Sequence, residues 1–185
     1  MKELAPGIVV FENVFTNSLD YIERIQEEGQ SWRPAEVLVN QDEYQSGTDT
    51  KARDTDFIML PHHESKETGA LAEFTAEFHK NLKPCLDQYM ATYFAKIEKF
   101  ENPQLLRYGK NQQFHDHIDD HPFFTRRISL TYYLNDEYEG GDVEFNRHGL
   151  RFKAKKGDLL ILCTITRFIQ LLMGLDMWWS NGWHK

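Results

Sequence analysis

From about residue 103 onward the chain is written in short alternating strands divided by turn residues, a pattern that confines it to a β sandwich or jelly roll. Ile128, Leu130, Tyr132 and Leu134 alternate with Arg127, Ser129, Thr131 and Tyr133, the period of two expected of a half-buried strand. Residues 135–141 are turn-rich. Val143 and Phe145 then alternate, Asn146-Arg147-His148-Gly149 makes a hairpin connection, and Leu150 and Phe152 return. Gly157-Asp158 interrupts the chain again before Leu159-Leu160-Ile161-Leu162, whose unbroken apolar character predicts a buried strand.

The first hundred residues carry a different period. Residues 8–15 read as an opening strand. Thr16 or Asn17 is then placed to cap a helix with Leu19, Ile22 and Ile25 on one face and Gly29 as its stop. Residues 32–56 are polar and irregular, which predicts an exposed loop or a flap over a pocket. From Thr68 the spacing of Leu71, Phe74, Phe78 and Leu82, then Leu86, Tyr89, Tyr93 and Ile97, is helical. Pro84 should divide this run into two helices or bend one. The aromatic stripe is core packing, and His79 beside it reads as an exposed or hydrogen-bonded helix residue. At 185 residues the chain is one domain by length. The expectation is an α+β fold over residues 1–185: a helical support region at 1–100 packed on a jelly-roll core at 101–185.

Composition excludes some partners. A net charge of −8 argues against a nucleic-acid groove or an anionic membrane surface. The basic run Arg151-Phe-Lys-Ala-Lys-Lys156 is read as the solvated face of a strand. No apolar run approaches the length of a membrane span, and the N-terminus lacks the apolar stretch of a signal peptide. Cys85 and Cys163 have neither zinc-site spacing nor a disulfide framework. A soluble, cytoplasmic protein is expected.

The chemistry concentrates between Leu105 and Asp120, where His115, His117 and Asp119 follow an apolar, β-like approach. On a regular strand these three share one face. Side chains at i and i+2 lie about 6.7 Å apart at the backbone, close enough to converge on one metal ion through bonds of about 2.0–2.2 Å. Residues i and i+4 are about 13 Å apart, so the pair is either His115 with His117 or His117 with Asp119. The plain alternative is a polar strand end that binds no metal. His117-x-Asp119 would be two-thirds of a facial triad for non-haem iron.

The surroundings of this pair form a longer pattern. Tyr108 precedes His117-x-Asp119; Arg127-Ile-Ser, a Tyr-Leu-Asn strand end, Glu139-Gly-Gly-Asp-Val-Glu-Phe and Lys156-Gly-Asp-Leu-Leu-Ile follow in order. Over residues 100–162 this resembles the prolyl-4-hydroxylase-like branch of the Fe(II)/2-oxoglutarate-dependent dioxygenases. The resemblance implies a double-stranded β-helix, with His117 and Asp119 as the first two iron ligands. It implies a role for Tyr108 near the C1-carboxylate end of 2-oxoglutarate and substrate contact for Arg127. His115 then becomes a rim residue. The implied cofactors are Fe(II) and the co-substrate 2-oxoglutarate, with ascorbate as a possible reductant. The implied reaction is hydroxylation of a C–H bond in a peptide or small molecule; the substrate itself and the oligomeric state are not legible.

The tail departs from that pattern. The family places its third ligand, in a His-x-Val, after the Lys-Gly-Asp-Leu-Leu-Ile strand, and an Arg or Lys anchor for 2-oxoglutarate roughly ten residues later. Here Cys163 is followed by no histidine until His184 and, after Arg167, by no arginine. Back-translation from Phe168, read two nucleotides later, accommodates His-Ser-Val-Val-Asp-Gly-Thr-Arg-Tyr-Val-Val-Val-Lys-Trp-Met-Ala before a stop. The single codons of Met and Trp force part of this string: a Gly at Met173-Gly174, two Val at Met177-Trp178-Trp179, and an Ala at Trp183-His184. A frameshifted C-terminus, with the last strand disrupted, is therefore one expectation, and a native tail is the other. Two further functions are weighed: a catalytically inactive jelly-roll binding or structural domain, and a metal-dependent hydrolase or cupin-like isomerase using His115 and His117. The Gly-Gly and Lys-Gly-Asp segments disfavour the last.

Overall fold

The computed structural model describes residues 1–40, 45–62, 64–97, 99–117, 119, 126–163, 169–171 and 176–180, with side chains of 38–40, 45, 169–171 and 176–180 excluded. In chain order the strands are β1 (Lys2–Ala5), β2 (Ile8–Phe11), β3 (Arg33–Pro34), β4 (Val37–Asn40), β5 (Gln45–Gly47), β6 (Asp56–Met59) and β7 (Gln104–Arg107). They continue as β8 (Phe114–His117), β9 (Ile128–Tyr133), β10 (Val143–Phe145), β11 (Leu150–Phe152), β12 (Leu159–Cys163), β13 (Ile169–Leu171) and β14 (Asp176–Ser180). Helix α1 (Ser18–Glu27) follows β2, and α2 (Ala70–Tyr93) follows β6. An eight-stranded sheet in the order β1-β2-β12-β9-β14-β7-β6-β3 faces a four-stranded sheet, β11-β10-β13-β8; β4 and β5 form a separate ribbon. All the pairings are antiparallel. This is the expected α+β architecture, helices on a double-stranded β-helix. The first hundred residues also contribute β1, β2, β3 and β6 to the larger sheet.

That sheet is covered on both faces, and the residues of β9 and β12 divide accordingly. Ile128, Leu130, Tyr132, Leu159 and Ile161 pack against the helices with Phe15, Phe74, Phe78, Leu82 and Tyr89. Tyr133, Leu160 and Leu162 turn inward to meet Leu106, Phe114, Val143 and Phe145 in a second cluster between the sheets. The run Leu159–Leu162 is therefore apolar throughout because neither face meets water. The same fact corrects the reading of β9. Its alternation predicts a half-buried strand, yet all six of its residues are buried. The Ser129, Thr131 and Tyr133 face points into the barrel rather than to solvent.

Helix α1 starts where Asn17 occupies the cap position, although its side chain makes no cap bond. The Ser18 hydroxyl instead donates to the Leu134 carbonyl at 2.9 Å, tying the helix start to the end of β9. Gly29, at φ +70°, follows the stop as expected. Glu28 then reaches across to accept from the Ala70 amide at 2.8 Å, supplying the first turn of α2 with a carboxylate that its own cap residue, Gly69, lacks. Of the two outcomes expected at Pro84, division does not occur: α2 is one element. A helix-interior proline costs about 3 kcal/mol, but Leu82, Cys85, Leu86 and Tyr89 are buried on either side of it and hold both halves on the sheet. Residues 32–56, read as irregular, contain β3, β4 and β5 and lead into β6, which pairs with β7. No helix among the described residues is long and apolar enough to cross a membrane.

Candidate metal centre

Strand β8 is the edge of the smaller sheet, and its open side is taken by residues 52–54. His115 donates its amide to the Ala52 carbonyl at 3.0 Å, the Asp54 amide donates to Gln113 at 2.8 Å, and Arg53 bridges to Phe114. On its other side β8 pairs with β13, where Ile169 opposes His117 and Leu171 opposes Phe114. Two residues of advance on β13 match three on β8, so β8 carries a bulge.

The bulge decides which side chains converge. On a regular strand His115 and His117 would share a face. Here the extra residue turns His117 onto the side of Phe114, with the two rings stacked at 3.6 Å between centroids and 12° between planes. His115 is left exposed, its Nε2 3.0 Å from the side-chain nitrogen of Gln113. The structure thus does not bring His115 and His117 together, and it does bring His117 and Asp119 together.

The His117 Nδ1 lies 2.8 Å from the His115 carbonyl, a geometry that assigns the ring proton to Nδ1 and leaves the Nε2 lone pair for a ligand. That Nε2 is 3.2 Å from Asp119 Oδ1, and the Asp119 side chain is 1% exposed. Two acceptor atoms facing each other at this distance require a cation or a proton between them. Bonds of about 2.1 Å to one ion at neighbouring octahedral positions place their donor atoms about 3.0 Å apart. The pair fits a metal.

Asp119 is held from behind. Its Oδ2 accepts from the buried Ser129 hydroxyl at 2.5 Å, and its carbonyl lies 3.5 Å from Arg126 Nη1. Arg126 is in turn fixed by two 3.1 Å bonds to the Glu101 carboxylate. Arg127, the expected substrate contact, is exposed at the start of β9. Tyr108 lies just after β7, partly buried against the inner cluster. Beside it is Arg53, 8% exposed, with its guanidinium 4.8 Å from the Phe114 ring centroid. Burial pulls the Arg53 pKa down, while Tyr108 and Asp119 act to hold its charge.

Sequence reading missed four contributors: Arg53, Phe114, Arg126 and Ser129. The available signal for Ser129 was a strand face carrying Ser, Thr and Tyr without a charge after Arg127, a composition that suits an enclosed polar lining as well as a solvated face. Arg53 had no such signal, since residues 32–56 read as loop. Among the described residues no group of three or more His, Cys, Asp or Glu side chains is placed to hold a metal ion. The third ligand and the 2-oxoglutarate anchor expected after Cys163, and the tail for which a frameshift is one expectation, fall largely outside the described residues. The backbone of β13 nevertheless sets Ile169, the residue after Phe168, opposite His117.

Two of the three ligand types of the 2-His-1-carboxylate triad of non-haem Fe(II) oxygenases thus lie together in this jelly roll. Residues 103–168 match the family model of the 2OG-Fe(II) oxygenase superfamily. No curated protein matches the chain. Among solved structures, the chain is similar to a prolyl hydroxylase from Trichoplax adhaerens in complex with a hypoxia inducible factor peptide fragment. That match has a TM-score of 0.68 at 15% identity, covering 95% of this chain and 84% of that one. A Pseudomonas putida prolyl-4-hydroxylase gives 0.63 at 14% identity, with coverages of 97% and 93%. The viral collagen prolyl hydroxylase from Paramecium Bursaria Chlorella virus-1, as its 2OG complex, gives 0.62 at 17%, with 96% and 94%. The chain thus matches the 2OG-Fe(II) oxygenase family model over its jelly-roll part and shares the fold of these prolyl hydroxylases over nearly its whole length. The family match ends at residue 168, where the tail departs from the family pattern.

Proposed function

We propose that the chain is an Fe(II)- and 2-oxoglutarate-dependent dioxygenase, cytoplasmic, that hydroxylates a C–H bond of a peptide, prolyl-type, or of a small molecule. The observation that carries this reading is the 3.2 Å approach of His117 Nε2 to a buried Asp119 carboxylate within this fold. His117 and Asp119 hold the iron. The metal and 2-oxoglutarate supply the oxidising chemistry when bound. The chain's own residues orient and enclose: His115 fixes the imidazole through its carbonyl, Phe114 backs the ring, and Tyr108 borders the C1 end of the co-substrate. Arg127, at the rim, is the residue offered for substrate contact. Residues 1–185 act as one domain, with 1–100 supporting the jelly-roll core, and ascorbate would serve as the reductant for a bound iron.

As written, the tail supplies neither the expected third ligand nor the anchor, so iron retention is weakened and the demand for 2-oxoglutarate is raised. That departure favours a second reading, an inactive binding domain of the same fold. Metal affinity and succinate formation separate the two. The purified chain should bind Co(II) or anaerobic Fe(II), lose that binding in Asp119→Ala and keep it in His115→Ala, and form succinate from 2-oxoglutarate only when iron is present. Unchanged metal binding in Asp119→Ala would overturn the assignment of the site. Intact metal binding with no succinate at any 2-oxoglutarate concentration would select the inactive domain.

A further inference from the structure

We infer that Ser129 is a positioning residue that restricts Asp119 to one-oxygen coordination and so keeps a coordination position open; this rests on the reading of His117 and Asp119 as metal ligands. Ser129 lies on the inward face of β9 and is 2% exposed. Its hydroxyl proton is committed to Asp119 Oδ2 at 2.5 Å, ten residues away in sequence. The other oxygen, Oδ1, is the one that faces His117 Nε2. The two carboxylate oxygens are thereby given different tasks.

A carboxylate with neither oxygen engaged can turn about its last torsion and chelate an ion through both. On a site with two described protein ligands, that would consume a position that a 2-oxo acid or dioxygen has to occupy. A short hydrogen bond from a buried hydroxyl opposes the turn, because the rotated carboxylate would leave the Ser129 proton in an apolar strand interior without an acceptor. Ser129 also cannot move to follow it. The backbone of β9 is paired on both sides at this point, with Leu162 of β12 and with Ser180 of β14. The hydroxyl is a fixed point, and Asp119 is aligned to it. Arg126 adds to this by meeting the Asp119 carbonyl, which limits where the Asp119 backbone can go.

The test measures Co(II) affinity by competition with a chelating indicator, together with the ligand-field absorption of the Co(II) protein, for wild type, Ser129→Ala and Ser129→Thr. Loss of a group that orients a ligand typically weakens metal affinity roughly 10–100-fold. Ser129→Ala should show that loss with a shifted Co(II) spectrum, as the carboxylate is no longer held in one orientation, and Ser129→Thr should restore both. Should the Ala variant fail to fold, Ser129→Val, which matches the Thr variant in shape and lacks the hydroxyl, carries the same comparison. A merely structural serine would lower the melting temperature of the metal-free protein and leave Co(II) affinity and spectrum as in wild type, which would overturn the inference. The parent reading fails separately, by Asp119→Ala binding Co(II) as well as wild type does.

Discussion

The contact between Arg53 and Phe114 gives a quantitative test of how the His117 platform is built. Phe114 touches two functional groups, stacking on the His117 ring and carrying the Arg53 guanidinium 4.8 Å from its centroid. Both Arg53 and Phe114 are 8% exposed, so their attraction acts away from water. Desolvated cation–π pairs reach about 2 kcal/mol, against about 0.5–1 kcal/mol at exposed sites. Phe114→Leu keeps an apolar side chain in the inner cluster while removing the π face. Arg53→Met keeps the stem and removes the charge. The double-mutant cycle of these two, read from urea unfolding of the metal-free protein with unchanged m-values, should give a coupling energy of about 2 kcal/mol. Phe114→Ala, which also empties core volume, should cost about 3–5 kcal/mol. A coupling energy below about 0.5 kcal/mol would mean the two residues are merely neighbours. In that case Arg53 owes its place to its backbone bridge and to Tyr108.

Two further outcomes are expected. Asp158 is 4% exposed, and burial raises its carboxyl pKa despite backbone donors that favour the charge. A raised carboxyl contributes stability at pH below its ordinary value of 3.8 and loses that contribution as pH rises through the folded value. Asp158→Asn should therefore gain in melting temperature relative to wild type as pH increases across that interval, and a gain that shrinks with rising pH would refute the assignment. Phe168→His supplies a histidine at the expected third-ligand position, next to the residue paired with His117. Structural zinc sites with four ligands bind with about 10–16 kcal/mol, or about 2.5–4 kcal/mol per ligand, so Co(II) affinity should tighten by roughly 10²–10³. Unchanged affinity would detach the tail from the site, and a TTT codon at Phe168, or a Leu175 codon ending in G or T, would remove the frameshift account.

Local pattern and tertiary structure contributed differently to the site. The amphipathic face of α1, the apolar run of β12 and the succession of strands after residue 103 were legible because each follows from a periodicity that burial imposes locally. The His117-x-Asp119 pair was legible as a motif within a longer constellation. Residues 32–56 were not, because strands of two to four residues leave too little period to read. Pro84 left open whether the run forms one helix or two, and contacts made far away in the chain decided for one.

What the sequence determined by itself was the fold class, with the His117-x-Asp119 pair offered as candidate ligands by the longer pattern around it. Spacing alone could not choose between His115 and Asp119 as the partner of His117, since parity holds only for a regular strand. The bulge opposite β13 sets the His117 ring on Phe114 and beside Asp119, away from the His115 ring. The sequence also could not tell that the hydroxyl face of β9 is interior. That face is covered only when the second sheet closes over it, and Ser129 reaches Asp119 only then. A strand's alternation records that its two faces differ, while which one water reaches is settled by what packs against them.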